Sequence, residues 1–257
     1  MKQYLVDAFT SRLFHGNQAA VCVPDCWPED ELMLQIAAEN NLSETAFAVK
    51  TPRGYQIRWF TPRSEIDFCG HATLAAAYVI FNFLETELTQ LRFESKAGEL
   101  IVTRCGELIT LNFPAYPLHA TAVTDDLSAA VGVRVKEACA ARDLLLVLER
   151  EEQVLNLRPD FARLAALRWP IIAVTAQGRD YDCVSRCFAP SLGINEDPVT
   201  GSTHCLITPY WCRTLGRSAL KCYQASTRGG VLHTRLEQGR VIISGQAVLF
   251  AQSELMV

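Results

Sequence analysis

The distribution of apolar positions predicts a helix over residues 70–84 that is buried on every side. Large apolar side chains cover nearly the whole circumference of the helical wheel, with alanines between them: Leu74, Tyr78, Val79, Ile80, Phe81, Phe83 and Leu84. A helix that is apolar all round lies inside a protein or a membrane. This one is too short for a bilayer, which requires roughly 20 residues. We therefore expect a shell of other elements around it.

The sequence around this helix occurs a second time. In the first copy Arg58, Phe60 and Pro62 precede Asp67, and the helix then opens with Gly70. In the second copy the same residue types keep their order and nearly their spacing: Arg186, Phe188, Pro190, Asp197 and Gly201. This repeated order indicates two structurally similar halves, each wrapping one buried helix.

The segments between these landmarks have the alternation of strands. Residues 2–9 and 19–23 predict two strands, and residues 42–49 and 55–60 predict a hairpin that leads into the first buried helix. Two prolines within residues 113–117 interrupt the pattern. We place the domain boundary there and expect an N-terminal domain of residues 1–117 and a C-terminal domain of residues 118–257. The fold class is α+β.

Composition excludes several classes of partner. The chain has 257 residues, of which 49% are apolar and 20% charged, and its net charge is −4 without a basic stripe, which argues against nucleic acid. The N-terminus lacks an apolar signal core and no stretch is long enough for a membrane span, so we expect a cytoplasmic protein without membrane partners. The ten cysteines are scattered without zinc-like spacing. We expect most of them to be buried thiols, and we expect no metal site.

The amino-terminal end of the first buried helix is the most reactive part of the pattern. Free backbone N–H groups at a glycine-led helix start are suited to a carboxylate or a phosphate. The alternative is that Asp67 or Thr73 only caps the helix. Glu44 is the single acid of its apolar strand run, and it is either a functional carboxylate or a solvated acid at a strand end.

Several strings of the chain occur in an order that resembles the PhzF-like phenazine-biosynthesis isomerase family. They are Gly16-Asn17, Leu42-Ser43-Glu44-Thr45-Ala46-Phe47, Phe68-Cys69-Gly70-His71-Ala72-Thr73, Arg158-Pro159-Asp160 and Glu196-Asp197-Pro198-Val199-Thr200-Gly201-Ser202. The resemblance covers nearly the whole chain. It implies the fold of diaminopimelate epimerase: two pseudo-symmetric domains, each an antiparallel β-sheet rolled around a central helix, with the active site in the cleft between them. It also implies a homodimer that uses neither a metal ion nor an organic cofactor.

The resemblance further implies proton transfer on a small, amino acid-like substrate that bears a carboxylate. Glu44 matches the family's acid/base carboxylate, which moves a proton between two carbons of an unsaturated substrate. The remaining positions that the resemblance assigns to the site are His71 and Asp197 as catalytic residues and Gly70, Gly201 and Ser202 as substrate-binding residues. Two helix starts of this kind can hold a carboxylate and stabilise negative charge on the adjacent carbon.

Cys69 leaves a second mechanism open. It stands where related epimerases and proline racemases have a catalytic cysteine, so a cysteine-assisted racemase or epimerase is the alternative. Such an enzyme needs a second thiol in the other half, where the repeat places Pro198, and Cys205 is expected inside the helix. A mechanism centred on Glu44 is therefore favoured. A third possibility is a non-catalytic metabolite-binding protein with the same fold.

Overall fold

The computed structural model describes residues 1–257 and divides them into two compact units. The first unit contains residues 1–112 together with 244–257, and the second contains residues 113–243. Strands dominate both units, with one long buried helix in each, so the predicted α+β class is confirmed.

Eighteen strands account for most of the regular structure. In chain order they are β1 (Lys2–Ala8), β2 (Asn17–Cys22), β3 (Glu44–Thr51), β4 (Gly54–Phe60), β5 (Glu65–Ile66), β6 (Gln90–Ser95), β7 (Gly98–Cys105), β8 (Leu108–Pro114), β9 (His119–Thr121), β10 (Glu137–Ala140), β11 (Leu144–Val147), β12 (Ile172–Gln177), β13 (Cys183–Ala189), β14 (Ile194–Asp197), β15 (Ala219–Gln224), β16 (Gly230–Glu237), β17 (Arg240–Gly245) and β18 (Ala247–Glu254).

The helices are fewer and mostly short. They are α1 (Asp30–Asn40), α2 (Gly70–Val79), α3 (Asp125–Val131), α4 (Glu151–Leu155), α5 (Phe161–Ala165) and α6 (His204–Leu215), with a π-helical turn at Ile80–Leu84 and a 3₁₀ turn at Pro190–Leu192. None of these helices combines the length and the apolar character that a membrane span requires.

Helix α2 is the centre of the first unit. It contacts β1, β2, β3 and β18, and nine of its ten residues are buried, as the all-round apolar pattern predicts. The predicted helix reaches Leu84, whereas the α-helix ends at Val79 and continues as the π-helical turn. Phe83 and Leu84 are 41% and 42% exposed, because this turn lies at the end of the buried segment. The buried helix is therefore shorter than predicted.

The strands around α2 form a mixed sheet. β3 and β4 form the predicted antiparallel hairpin, with Thr45 opposite Phe60. β2 and β3, however, run parallel, with Ala19 opposite Glu44, so the sheet is not purely antiparallel as expected. The parallel pairing requires a crossover between the two strands, and α1 occupies it.

The end of the chain belongs to the first unit. β18 pairs antiparallel with β1, with Lys2 opposite Glu254, and β1 also pairs with β2. The predicted C-terminal domain of residues 118–257 therefore extends too far, because the backbone groups of β18 bond to β1. The predicted start of this domain differs by a few residues, since the second unit begins at Phe113 rather than at residue 118.

Helix α6 is the long buried helix of the second unit. It contacts β15 and β16 and begins at His204, three residues after the predicted start at Gly201. The amides of His204 and Cys205 bond to the carbonyls of Gly201 and Ser202, so a tight 3₁₀-like turn replaces the first helical turn. Pro209 lies inside the helix without ending it.

An equivalent ion pair in each unit supports the repeat. Arg58 donates through Nε and Nη2 to both carboxylate oxygens of Glu65, at 2.7 and 2.9 Å. Arg186 binds both oxygens of Glu196 in the same way, at 2.7 and 2.8 Å. Each guanidinium also lies over the ring of the phenylalanine two residues later, at 5.1 and 5.3 Å. The two units thus share the same local construction at the strand before each long helix.

Candidate functional site

Three chain segments of the first unit meet at one point. Asn17 is the first residue of β2, Glu44 is the first residue of β3, and His71 is the second residue of α2. Parallel pairing of β2 and β3 aligns the starts of both strands, and α2 packs on both of them. The fold therefore gathers polar side chains that are far apart in the sequence.

Glu44 and His71 form a buried pair. Oε2 of Glu44 lies 3.2 Å from Nε2 of His71, and the two side chains are only 12% and 6% exposed. The distance is that of an ion pair, but its direction is not that of a good hydrogen bond, and neither atom has another hydrogen-bond partner. A buried polar atom without a partner costs about 1–3 kcal/mol. Both atoms thus have unused hydrogen-bonding capacity.

The other nitrogen of His71 contacts Asn17 and Cys69. Nδ1 lies 3.2 Å from Nδ2 of Asn17 and 3.5 Å from Sγ of Cys69. An amide N–H that donates to Nδ1 leaves the ring proton on Nε2, facing Glu44. Rotation of the amide presents its oxygen instead, which accepts from a doubly protonated ring. Asn17 can therefore orient His71 in both protonation states.

Asn17 is a residue to which the sequence analysis gave no role. Its only sequence signal is the Gly16-Asn17 string of the family resemblance, which on its own predicts a turn. The contact with His71 joins residues 54 positions apart, so no local pattern could have indicated it.

The charges of the site act on both His71 and Cys69. Burial of the ring disfavours protonation, but Cys69 and Glu44 outweigh it and raise the pKa of His71 well above its ordinary value. Burial, together with the nearby Glu44, raises the pKa of the Cys69 thiol. The raised pKa of Cys69 keeps its thiol neutral, so Glu44, whose Oε2 lies 3.2 Å from Nε2, is the charge that favours the imidazolium form of His71.

Glu44, Cys69 and His71 are also a possible donor set for a metal ion. One ligand atom from each residue lies within 4.8 Å of the others, and carboxylate, thiolate and imidazole are all zinc ligands. The ring presents Nδ1 to Cys69 and Nε2 to Glu44. A metal ion binds only one of the two ring nitrogens. It would therefore replace either the contact of Nδ1 with Cys69 or the contact of Nε2 with Glu44, and the second contact would remain. The expectation of no metal site stays a prediction.

Asp197, a predicted catalytic residue, lies in the second unit at the end of β14. Its Oδ2 accepts a hydrogen bond from Oγ1 of Thr200, and its backbone oxygen accepts from Nε2 of Gln224 at 2.8 Å. Oε1 of Gln224 in turn accepts from the amide of Thr200 at 2.9 Å. Gln224 is fully buried and braces the whole turn. No pattern in the sequence near Gln224 predicted this role.

Gly201 and Ser202 lie in the same turn, directly before α6. Their backbone N–H groups donate no hydrogen bond in the structure. The hydroxyl oxygen of Ser202 accepts from Nη2 of Arg142 at 3.2 Å. Among the predicted site residues, Gly70, His71 and Glu44 are thus neighbours in the first unit, and Asp197, Gly201 and Ser202 are neighbours in the second.

The chain is similar to known proteins over nearly its whole length. Residues 6–253 match the profile of the PhzC-PhzF family, phenazine biosynthesis-like proteins. An uncharacterized isomerase of Pseudomonas aeruginosa is 49% identical over 251 residues, which cover 97% of this chain and 96% of that protein. A phenazine biosynthesis-like domain-containing protein of mouse is 37% identical over 281 residues, which cover 98% of each chain.

Solved structures agree with this match. A PhzF family protein of Enterococcus faecalis is 46% identical and has a TM-score of 0.98. The alignment covers 100% of this chain and 99% of that protein. A probable proline racemase of Agrobacterium radiobacter shares the fold, with a TM-score of 0.70 at 11% identity, over 100% of this chain and 93% of its own. The predicted epimerase-like fold is thereby confirmed. On the match of sequence and structure over nearly its full length, the chain belongs to the PhzC-PhzF family of isomerase-like enzymes.

Proposed function

We propose that the protein is a cofactor-independent isomerase that moves a proton, and with it a double bond, on a small amino acid-like substrate with a carboxylate. The observation that carries the proposal is the buried Glu44–His71 pair, whose facing atoms lie 3.2 Å apart and have no other hydrogen-bond partner. A carboxylate and an imidazole that are held together inside the protein can accept a proton from a carbon and return one to another carbon.

In this proposal Glu44 is the single acid and base. Its carboxylate removes a proton from a carbon of the substrate, and the electron pair of that C–H bond moves into the conjugated system. The protonated Glu44 exchanges its proton with solvent and then protonates another carbon, so the double bond shifts and the composition of the substrate is unchanged. The imidazolium of His71, whose Nε2 lies 3.2 Å from Oε2 of Glu44, compensates the charge of the carboxylate.

The family resemblance supports roles for the other predicted residues. Backbone amides at Gly70, Gly201 and Ser202 are suited to substrate oxygens, and the carboxylate of Asp197 is suited to an amino group. The homodimer, the cytoplasmic location and the absence of an organic cofactor are further parts of the proposal, and they rest on the resemblance and the composition.

The cysteine-assisted racemase is the weaker alternative. Cys69 is 7% exposed, and burial raises the pKa of its thiol, so the thiolate that such chemistry requires is disfavoured. Cys205, inside α6, is no better, since burial raises the pKa of its thiol to about 12. Deuterium incorporation from solvent that is lost in Cys69→Ser but kept in Glu44→Gln would favour this alternative.

The direct test is solvent-deuterium incorporation across a panel of unsaturated and saturated amino acids and dienoic acids. Glu44→Gln keeps the side-chain shape and is expected to lower the rate of exchange by about 10²- to 10⁴-fold while substrate binding and folding are kept. Glu99→Gln, which removes an exposed carboxylate of the first unit, is the matched control and should exchange normally. Full activity of Glu44→Gln would exclude Glu44 from the reaction. Tight metabolite binding without exchange in the native protein would indicate a binding protein instead.

A further inference from the structure

Two cysteines of the second unit lie side by side in its sheet. β13 and β15 pair in parallel, and their register places Cys183 opposite Cys222. Paired residues of neighbouring strands are about 4.8 Å apart and direct their side chains to the same face of the sheet. That separation lies within the range of roughly 4.4–6.8 Å between the Cα atoms of a disulfide. Both residues are free thiols and fully buried. The strands therefore already hold the two residues at a distance that a disulfide can bridge.

Helix α6 brings a histidine against this face of the sheet. The helix contacts β15 and β16, and its first residue, His204, is completely buried. Nδ1 of His204 lies 2.9 Å from the carbonyl oxygen of Thr200. A carbonyl oxygen can only accept, so Nδ1 carries a hydrogen. Nε2 has no hydrogen-bond partner of good geometry, and it is the ring nitrogen that remains to act on the Cys222 thiol.

The two thiols are not equivalent, because their surroundings favour a thiolate at Cys222. A hydrogen bond from Cys183 has the largest lowering effect on the pKa of Cys222. His204 and Thr234 lower the pKa of this thiol further, against the effect of burial. Oγ1 of Thr234 lies 3.6 Å from Sγ of Cys222, and its hydroxyl can donate to a thiolate. The hydrogen bond with Cys222 and burial together raise the pKa of Cys183. Cys222 is thus the sulfur suited to attack, and Cys183 keeps its proton beside it.

Other buried polar atoms belong to the same layer between α6 and the sheet. Ser185 lies on the same face of β13 as Cys183, and Thr208 lies one helical turn after His204. Oγ of Ser185, Oγ1 of Thr208 and Nε2 of His204 are all buried without a hydrogen-bond partner. Such groups suit a small polar molecule that both donates and accepts hydrogen bonds. Hydrogen peroxide is such a molecule, whereas complete burial of both sulfurs keeps bulky oxidants out.

We propose that Cys222 and Cys183 are a redox-active dithiol, which hydrogen peroxide converts into a disulfide. The Cys222 thiolate attacks one oxygen of the peroxide, so an S–O bond forms and the O–O bond breaks. The hydroxide that leaves takes up the proton that Cys222 had released, which gives water and a sulfenic acid. The sulfur of Cys183 then displaces the oxygen from Cys222, so an S–S bond forms and the S–O bond breaks. The second hydroxide leaves with the Cys183 proton as water.

Two thiols are thus oxidised, and one peroxide is reduced to two water molecules. An external dithiol reverses the reaction by thiol–disulfide exchange. The site is independent of the proposed isomerase function, since neither sulfur takes part in the proton transfer assigned to Glu44.

Peptide mapping of the full-length protein tests this site. The folded protein is treated with hydrogen peroxide, unfolded in the presence of an alkylating agent, digested and analysed by mass spectrometry. The native protein is expected to yield peptides that are linked through Cys183 and Cys222 and are separated by dithiothreitol. Cys183→Ala removes the second sulfur, so it should instead retain a sulfenic acid at Cys222, which dimedone traps. The matched control is Cys187→Ala, which removes another buried thiol of β13, one whose pKa burial raises, and should form the linked peptides normally.

Absence of the linked peptides from the native protein, while the exposed thiols of Cys26 and Cys105 are oxidised, would overturn the inference. A main disulfide that joins Cys212 instead, or a link that forms only after unfolding in urea, would also overturn it. If Cys183→Ala does not fold, dimedone is added to the native protein during the peroxide treatment. Labelling of Cys222 would then support the assignment of the attacking sulfur, and labelling of Cys183 alone would overturn it.

Discussion

Replacing Glu44 with glutamine should change how the stability of the fold depends on pH. The substitution keeps the size of the side chain and removes the charge that lies 3.2 Å from Nε2 of His71. Both side chains are buried, so salt screens this charge only weakly. In the native protein burial disfavours protonation, but Cys69 and Glu44 together raise the pKa of His71 well above its ordinary value of 6.5. Without Glu44, one of the two groups that oppose the effect of burial is lost, so the pKa of His71 should fall.

The direction of the effect follows from proton linkage. A histidine with a raised pKa holds its proton more tightly in the folded chain than in the unfolded chain. Its contribution to stability is therefore fully present below pH 6.5, the ordinary value, and is lost as the pH rises through the folded value. Between these two values the free energy of unfolding falls by about 1.4 kcal/mol per pH unit. The stability difference between the native protein and Glu44→Gln should be largest in acid and decline above pH 6.5.

Urea unfolding from about pH 5.5 to about pH 9 measures this difference, since this range brackets an ordinary histidine. The control is Glu99→Gln, which removes an exposed ion pair of 3.0 Å with Arg92. Exposed ion pairs contribute about 0.2–1 kcal/mol to the free energy of unfolding. The effect of Glu99→Gln on this free energy is expected to be the same at every pH of the series. A difference between native protein and Glu44→Gln that stays constant over the whole range would refute the coupling of His71 to Glu44.

Two further predictions concern the Arg58 ion pair and metal dependence. Hydrogen bonds from Arg58 lower the pKa of Glu65 from 4.5 to about 2, so Glu65→Gln should cost about 2 kcal/mol at neutral pH. The stability that Glu65 contributes is present above pH 4.5 and is lost as the pH falls toward about 2. Urea unfolding should therefore show the stability difference between the native protein and Glu65→Gln shrinking in that window. An undiminished difference at low pH would contradict the prediction. Dialysis against EDTA should leave solvent-hydrogen exchange unchanged, because the proposed proton transfer uses Glu44 alone; loss of exchange that Zn²⁺ restores would place an ion among Glu44, Cys69 and His71.

The sequence by itself determined the two buried helices and the repeat that contains them. Burial on all sides requires apolar residues on all sides of a helix, so the composition of residues 70–84 already indicated α2 as a core element. The repeated Arg-x-Phe pattern indicated the same local construction in both units, and the bidentate pairs of Arg58 and Arg186 agree with it. These features depend on neighbours in the sequence, which is why a pattern could show them.

Only the tertiary structure decided which distant side chains meet. Nothing in the sequence near Asn17 or Arg142 indicated that one contacts His71 and the other Ser202, because such contacts depend on strand register and on the packing of a helix across a sheet. The same reason explains why the strand of residues 247–254 was assigned to the wrong domain. Strand alternation reveals which face of a strand is buried, but not which strand is its neighbour, and β18 completes its backbone hydrogen bonds on β1 at the opposite end of the chain.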